Sequence, residues 1–230
     1  IYGALMRNLR YPESDERGIG PLAHAVAGVP RLREEMRDLA PEENDPLVVG
    51  LDALSTISST RQQTAWENWL MGGRRVKTMN RATPRGIRFP SIYRVGHNAR
   101  QMAYLLSGVS VLARLAGYSG LCVLVDEAES YSLLKAYQRP KATLFFQGVI
   151  HAALGDDRSP FSDDDLPHHR FREYPMAYGE RQSLFFLFTV TRSDNRLPLE
   201  DWLDDGRVLE LDPHQTPQEI GHFLEQVMGY

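Results

Sequence analysis

The sequence has almost no cysteine and no long apolar run. Cys122 is the single cysteine among 230 residues, so no internal disulfide can form. We expect Cys122 to pack inside an apolar strand, in a reducing, cytoplasmic setting. No run approaches the roughly 18 apolar residues that a membrane-spanning helix needs, so we expect no membrane partner. The net charge of −4 argues against a dominant nucleic-acid-binding surface but allows a local basic patch.

These 230 residues also contain no complete phosphate-binding loop. Such a loop follows the pattern G-x-x-x-x-G-K-[ST], because its glycine amides must cradle the phosphates. The nearest run is GGRRVKT at 72–78, where Val76 stands in place of the second glycine and no apolar strand precedes it. We reject this run as a nucleotide site, and we expect the chain by itself to be inactive and to bind ATP poorly.

The most informative segment joins an apolar strand to a pair of carboxylates. Five apolar residues at 121–125 run directly into Asp126 and Glu127, and Glu129 follows two positions later. The run predicts a strand buried on both faces, as in a parallel sheet, with its acids at the edge where such folds bind ligands. This is the pattern of a Walker B segment, in which the Asp holds Mg²⁺ and the Glu polarises the attacking water. The alternative is a buried strand that ends in solvated acids.

The order of elements around this segment predicts the fold class. Apolar residues from Met102 to Ala116 recur at helical spacing, and further apolar runs at 184–190 and 208–211 predict strands. Thr216, Pro217 and Glu219 form a capping box that begins a last helix. We therefore expect an α/β, P-loop NTPase-type three-layer fold with a mostly parallel central sheet. It would lack the Walker A strand and loop and most of the helical lid.

The N-terminal part predicts short helices. Residues 1–9 form one helix, 11–20 are polar and rich in turns, and 21–72 are helical in pieces broken at Pro30, Pro41 and Pro46. The two tryptophans at 66 and 69 predict a packing stripe. Residues 72–90 are basic, which fits either a solvated loop or a surface that meets nucleic acid or a partner.

Three regions follow from this reading. Residues 1–99 would be an N-terminal helical part with an insertion of the ATPase core, and 100–215 would carry the Walker B and sensor strands. Residues 216–230 would begin the lid. Because the chain starts at Ile1 without an initiator Met and stops at Tyr230 in the predicted lid helix, we expect both ends to be cut from a longer protein.

Polar residues after the second apolar run supply the remaining catalytic candidates. In ATPases with this motif, the strand after Walker B ends in a polar sensor residue. Thr191 is our first choice, because its hydroxyl could bond the γ-phosphate or the attacking water; a threonine simply favoured at a strand end is the alternative. Arg192 could stabilise phosphate charge in its own subunit or a neighbour's, and an exposed, non-catalytic arginine is the alternative.

The other chemical groups form weaker patterns. His168 and His169 follow a loop rich in aspartate, but the spacing matches neither an EF-hand nor a zinc site. A solvated loop is the simpler interpretation. No serine or cysteine stands in a G-x-S-x-G turn, so nucleophilic hydrolase chemistry has no support.

The combination of these segments resembles a known family. The opening IYGALMRNLR, a long helical insert and the block LAGYSGLCVLVDEAE at 115–129 are similar to the ATP-binding proteins of bacterial BREX-type phage-exclusion systems. These are large P-loop ATPases of the AAA-like, ORC-related kind. The resemblance implies ATP and Mg²⁺ as cofactors, Asp126 as the acid linked to Mg²⁺ and Glu127 as the catalytic acid. Glu129 would support the nucleotide site or a neighbouring subunit.

Two classes of function stay open at this point. The first is an ATPase core that couples hydrolysis to remodelling in phage defence, with a homo-oligomer, DNA or phage-defence proteins as candidate partners. The second is a non-catalytic module with a P-loop fold that serves complex assembly. A strand followed by a Walker A loop upstream of residue 1 would favour the first class.

Overall fold

The computed structural model describes residues 2–40, 45–74, 79, 92, 99–126, 128–155, 158–166, 174–175, 177–179, 183–190, 197–209 and 218. Two compact units divide the chain, Ile1–Leu197 and Pro198–Tyr230, and each is described by itself. The architecture is mixed α/β and mainly helical. The three regions predicted at 1–99, 100–215 and 216–230 stay predictions.

The N-terminal part of the first unit consists of short helices, as the sequence predicts. The segment 11–20 differs from the turn-rich prediction, because it holds most of an antiparallel hairpin and the start of the second helix. Pro30 and Pro46 do not merely interrupt helices but begin them, since proline suits the first helical position. The elements are α1 Tyr2–Arg7, β1 Arg10–Tyr11, β2 Ser14–Arg17, α2 Ile19–Ala27, α3 Pro30–Leu39, α4 Pro46–Thr56 and α5 Thr60–Leu70.

The tryptophan pair in α5 packs as predicted. Trp66 and Trp69 are both almost fully buried, and their rings meet edge to face with centroids 5.4 Å apart. This geometry favours contact between the positive edge of one ring and the negative face of the other. The pair belongs to the same apolar core as the neighbouring helices.

The longest helix, α6 at Ala99–Leu115, lies at the centre of the first unit. Its apolar spacing predicts a single buried stripe, but the structure buries every residue from Arg100 to Ala113. The stripe prediction is too narrow because helices pack against several sides of α6 and the sheet covers another. The hydroxyls of Ser107 and Ser110 tolerate burial by donating to backbone carbonyl oxygens one turn earlier, at 2.8 and 2.7 Å.

Among the described residues, two parallel strands form the sheet that leads to Asp126. β3 at Leu121–Val125 pairs with β4 at Leu184–Phe188, and the register runs from Leu121 opposite Leu184 to Val125 opposite Phe188. The prediction of parallel strands at these two runs is confirmed, but β4 ends at Phe188 and not at residue 190. Helices α6 and α7, the latter at Arg139–Leu154, pack against each other and against one face of this sheet.

The opposite face of the sheet is exposed, contrary to the sequence prediction. The exposed fractions of Leu124, Phe185 and Leu187 are 69%, 60% and 49%, and Cys122 is exposed beside them. The expectation of strands buried on both faces, and of a buried Cys122, is therefore wrong. The physical reason is that the helices in the described part of the chain cover only the side formed by alternate residues such as Val123 and Leu184.

In its described residues, the second unit contains a short helix, α8 at Leu199–Trp202, and a 3-10 turn at Asp205–Arg207. Val208 and Leu209 are not in a strand, and the rest of the predicted 208–211 strand lies outside the described residues. The same holds for the predicted lid helix, of which only Gln218 is described. Within the described helices, none combines the length and apolar character required for crossing a membrane.

A completely buried carboxylate connects the helices of the first unit. Asp45 precedes Pro46 and caps α4, where its Oδ1 accepts hydrogen bonds from the backbone N–H groups of Leu47 and Val48 at 2.8 and 3.0 Å. The hydroxyl of Tyr104 in α6 donates to Oδ2 at 2.5 Å. The hydroxyl of Tyr178 lies 3.2 Å from Oδ1. One side chain thereby joins α4, α6 and the segment 177–179.

The surroundings of Asp45 favour its neutral form. Burial is the largest influence and raises the pKa of Asp45 above its ordinary value of 3.8, although the hydrogen bonds from Tyr104 and the backbone act in the opposite direction. Burial also raises the pKa of both tyrosine hydroxyls, so these groups stay protonated and donate. The folded state therefore takes up a proton at Asp45 more readily than the unfolded state does.

Replacing Asp45 by Asn should change how stability depends on pH. The pKa of Asp45 is higher in the folded state than in the unfolded state. The stabilisation that Asp45 gives to the fold is therefore fully present below about pH 4 and is lost as the pH rises through the folded-state pKa. Asparagine does not ionise, so the free energy of unfolding of Asp45→Asn should rise relative to that of wild type as the pH increases from 4 to 8. Urea unfolding at several pH values measures this difference.

The exposed Asp52 provides the control for this comparison. Asp52 pairs with Arg37 at the surface, so Asp52→Asn should change the free energy of unfolding only slightly. If the free energies of unfolding of Asp45→Asn and wild type differed by the same amount at every pH from 4 to 8, this result would contradict a raised pKa of Asp45.

Candidate functional site

The candidate site lies where the two parallel strands end. Asp126 follows β3 directly, and its exposed carboxylate stands at the carboxyl edge of the sheet. Thr189 follows β4 directly, and its hydroxyl donates a hydrogen bond of 2.5 Å to Oδ1 of Asp126. The two side chains meet because the strands are parallel and in a register that places Val125 opposite Phe188.

Backbone hydrogen bonds extend beyond the strands and fix this position. The Thr189 N–H donates to the carbonyl oxygen of Val125 at 3.0 Å, and the Ala128 N–H donates to the carbonyl oxygen of Thr189 at 2.9 Å. Both backbone groups of Thr189, its N–H and its carbonyl, are therefore hydrogen-bonded to residues on either side of Asp126. This arrangement limits the freedom of the hydroxyl, so its hydrogen bond can hold the carboxylate in one orientation.

The other predicted site residues are not described at the level of their side chains. Glu127, Thr191 and Arg192 lie outside the described residues. The backbone of Glu129 belongs to the 3-10 turn Ala128–Leu133, but its side chain is not described. Asp126 is accordingly the predicted site residue whose side-chain geometry can be stated, and the roles of the other four stay predictions.

Sequence reasoning missed Thr189 as a partner of Asp126. The signal was available in the sequence, since Asp126 is the first polar residue after the first apolar run and Thr189 is the first polar residue within the second. Pairing them required the register of β3 against β4, which two runs of similar apolar residues do not determine by themselves. The sequence pattern favours Thr191, two positions further along, as the sensor residue.

Oxygen ligands at this edge suit a hard cation better than a transition metal. Magnesium binds through one or two carboxylates, with water and substrate phosphates completing its shell, so Asp126 has the required chemistry. In the described part of the chain, no group of three acidic, histidine or cysteine side chains could hold a metal. A nucleotide and water could supply further ligands to a cation held through Asp126.

Two further polar clusters have structural explanations. The buried His151 in α7 places Nδ1 2.7 Å from Oγ of Ser159 and 3.0 Å from the carbonyl oxygen of Phe161, which fastens the segment after the helix. Asp165 accepts from the backbone N–H and hydroxyl of Ser162, and these bonds lower the pKa of the Asp165 carboxyl. His168 and His169 lie outside the described residues.

Comparisons of the chain with protein-family models, with curated proteins and with solved structures found no match. The resemblance to BREX ATP-binding proteins therefore stays a prediction from sequence.

Proposed function

We propose that this chain is the Walker B part of an AAA-like P-loop ATPase that hydrolyses ATP to drive remodelling. The observation that supports this proposal best is the hydrogen bond between Thr189 and Asp126 at the carboxyl ends of adjacent parallel strands. In open α/β folds this edge is where ligands bind. An oriented carboxylate there suits a Mg²⁺–nucleotide complex.

Each residue has a separate task in this proposal. Bound Mg²⁺ would neutralise charge on the nucleotide phosphates. Asp126 would hold the ion in place, and Thr189 would keep the Asp126 carboxylate in one orientation. Glu127 would accept a proton from the attacking water, and Thr191 or Arg192 would contact the phosphates. Hydrolysis thus needs one acid for positioning and a second acid as the base.

The biological context of the proposal rests on the sequence resemblance alone. It includes phage defence, a homo-oligomeric state, and DNA or phage-defence proteins as partners. The proposed cytoplasmic location has a separate basis, the single cysteine of the sequence. ATP hydrolysis also requires a phosphate-binding loop, which these 230 residues do not contain. Tests of hydrolysis therefore use a form of the protein that carries such a loop.

Substitutions at the two adjacent acids should separate the base from the metal contact. Glu127→Gln keeps a similar shape but removes the base, so turnover should fall by about 10²- to 10⁴-fold while Mg-ATP binding survives. Asp126→Asn should also weaken the Mg²⁺-dependent part of binding. Phosphate release and calorimetric titration with Mg-ATP measure the two effects. Unchanged turnover in Glu127→Gln would end the ATPase assignment.

Thr189 offers a test that starts from the structure. Thr189→Val removes the hydroxyl and keeps the β-branched shape, so Asp126 loses its hydrogen bond. Loss of a group that orients a metal ligand typically lowers affinity or activity by about 10- to 100-fold. We expect a fall of this size in Mg-ATP affinity or turnover. Thr189→Ser, which retains the hydroxyl, is the matched control; equal activity of the Val and Ser variants would exclude the positioning role.

Assembly is the second candidate function, and the exposed outer face of the sheet favours it. Cys122, Leu124, Phe185 and Leu187 place apolar side chains together on this face. Parallel strands are normally covered on both sides, so such a face commonly meets another surface.

A charge on the outer face should disrupt an assembly that uses it. Leu124→Asp places a carboxylate on an already exposed position, so the fold should tolerate it while a self-association contact should not. Light scattering across a concentration series would then show a smaller particle. Val29→Asp, at an exposed apolar position between α2 and α3, is the control. A wild-type chain that is already monomeric, or the same mass for both variants and wild type, would exclude self-assembly through this face.

A further inference from the structure

The segment that leads from the 3-10 turn into α7 forms a loop stiffened by its own hydrogen bonds. The Tyr131 hydroxyl pairs with Oγ1 of Thr143 at 2.8 Å, which fastens the turn to α7. The Arg139 guanidinium donates to the carbonyl oxygens of Leu134 and Ser132 at 3.1 and 3.2 Å. A backbone bond from the N–H of residue 138 to the carbonyl oxygen of residue 135 closes the turn.

This stiff loop displays two large apolar side chains to solvent. The exposed fractions are 84% for Leu133 and 68% for Tyr137. Because the hydrogen bonds are made by neighbouring residues, neither side chain is needed to hold the loop together. A tyrosine ring presented on a stiff backbone loses little conformational freedom on binding, which makes it an effective contact for a flat partner.

The charged residues closest to Tyr137 along the sequence are all basic. Between residues 131 and 154 the sequence contains Lys135, Arg139 and Lys141 and no aspartate or glutamate, whereas the whole chain has a net charge of −4. Lys135 and Lys141 are exposed. The loop and the first turn of α7 therefore combine an exposed aromatic ring with two exposed lysines inside a seven-residue stretch.

We propose that this basic and aromatic loop binds single-stranded nucleic acid. Tyr137 would stack on an unpaired base, and Lys135 and Lys141 would contact the flanking phosphates, the combination that proteins use on single strands. A duplex keeps its base faces stacked and offers the ring no such surface, which favours single strands. Binding of single-stranded nucleic acid by this loop goes beyond the ATPase proposal and needs neither ATP nor Mg²⁺.

Fluorescence anisotropy with a labelled oligothymidine tests the stacking role in the 230-residue chain. Removal of a stacking ring typically weakens binding by about 5- to 150-fold, so we expect a loss in this range for Tyr137→Ala. Tyr137→Phe keeps the ring and should bind within about twofold of wild type. Both substitutions are at an exposed position, and thermal unfolding checks that the fold is intact.

A charge-matched pair of variants tests the phosphate contacts. The double variant Lys135→Gln/Lys141→Gln should reduce the slope of log affinity against log salt by about 1.4, because each phosphate contact on a single strand contributes about 0.7. Arg31→Gln/Arg61→Gln removes the same charge from exposed positions on α3 and α5 and should leave the slope unchanged. Arg139 is kept, since its guanidinium holds the loop.

Several results would overturn the proposal. These are no saturable binding at low salt, equal losses in the two double variants, and equal binding by Tyr137→Ala and Tyr137→Phe. Binding of a duplex or of polyglutamate as tightly as oligothymidine would also reject it. Asp126→Asn should leave oligonucleotide binding unchanged, so failure of the ATPase assignment and failure of this proposal are separate outcomes.

Discussion

The arrangement of the helices depends on a buried acid that has hydrogen-bond donors on several sides. Asp45 caps α4 and also accepts from Tyr104 at the middle of α6, while Tyr178 reaches it from a distant part of the chain. The Tyr178 hydroxyl lies 3.3 Å from the carbonyl oxygen of Met36 as well, which brings α3 into the same cluster. A buried carboxyl group without these hydrogen-bond partners would be costly, so the helices that supply them cannot separate independently.

This cluster connects the helices to the sheet through α6. The Tyr178 backbone N–H donates to Oγ of Ser107, and its ring packs where Gly108 has no side chain, since a Cβ there would lie 2.9 Å from the ring. Eight residues beyond Ser107, α6 ends at Leu115, and β3 begins after a short turn at Leu121. The same helix that is fixed by Asp45 therefore positions the strand that ends in Asp126.

The sequence predicted the elements better than their environment. Periodicity and apolar runs located α6, β3 and β4, and the parallel pairing followed from the order of the elements. Burial was harder to predict, because whether Leu124 or Phe185 is covered depends on what packs against the sheet, which local pattern does not encode. Asp45 was missed although Asp-Pro is a recognisable helix start, because its partners Tyr104 and Tyr178 are 59 and 133 residues away.

The geometry of the candidate site is determined at the opposite end of the strands. The Leu121 N–H donates to the carbonyl oxygen of Ser183 at 2.8 Å, and this bond begins the ladder that places Leu121 opposite Leu184. The two chain segments can approach this closely only because residue 120 is glycine. Its φ is 150°, and a Cβ at this position would lie 2.1 Å from the carbonyl oxygen of Ser183. Five residues further on, the same register brings Thr189 beside Asp126.

A slip by one residue would turn alternate side chains to the other face and separate the hydroxyl from the carboxylate. Because the outer face is as apolar as the inner one, hydrophobic burial alone would not prevent such a slip. The close contact at Gly120 therefore helps to fix the strand register on which the pairing of Thr189 with Asp126 depends.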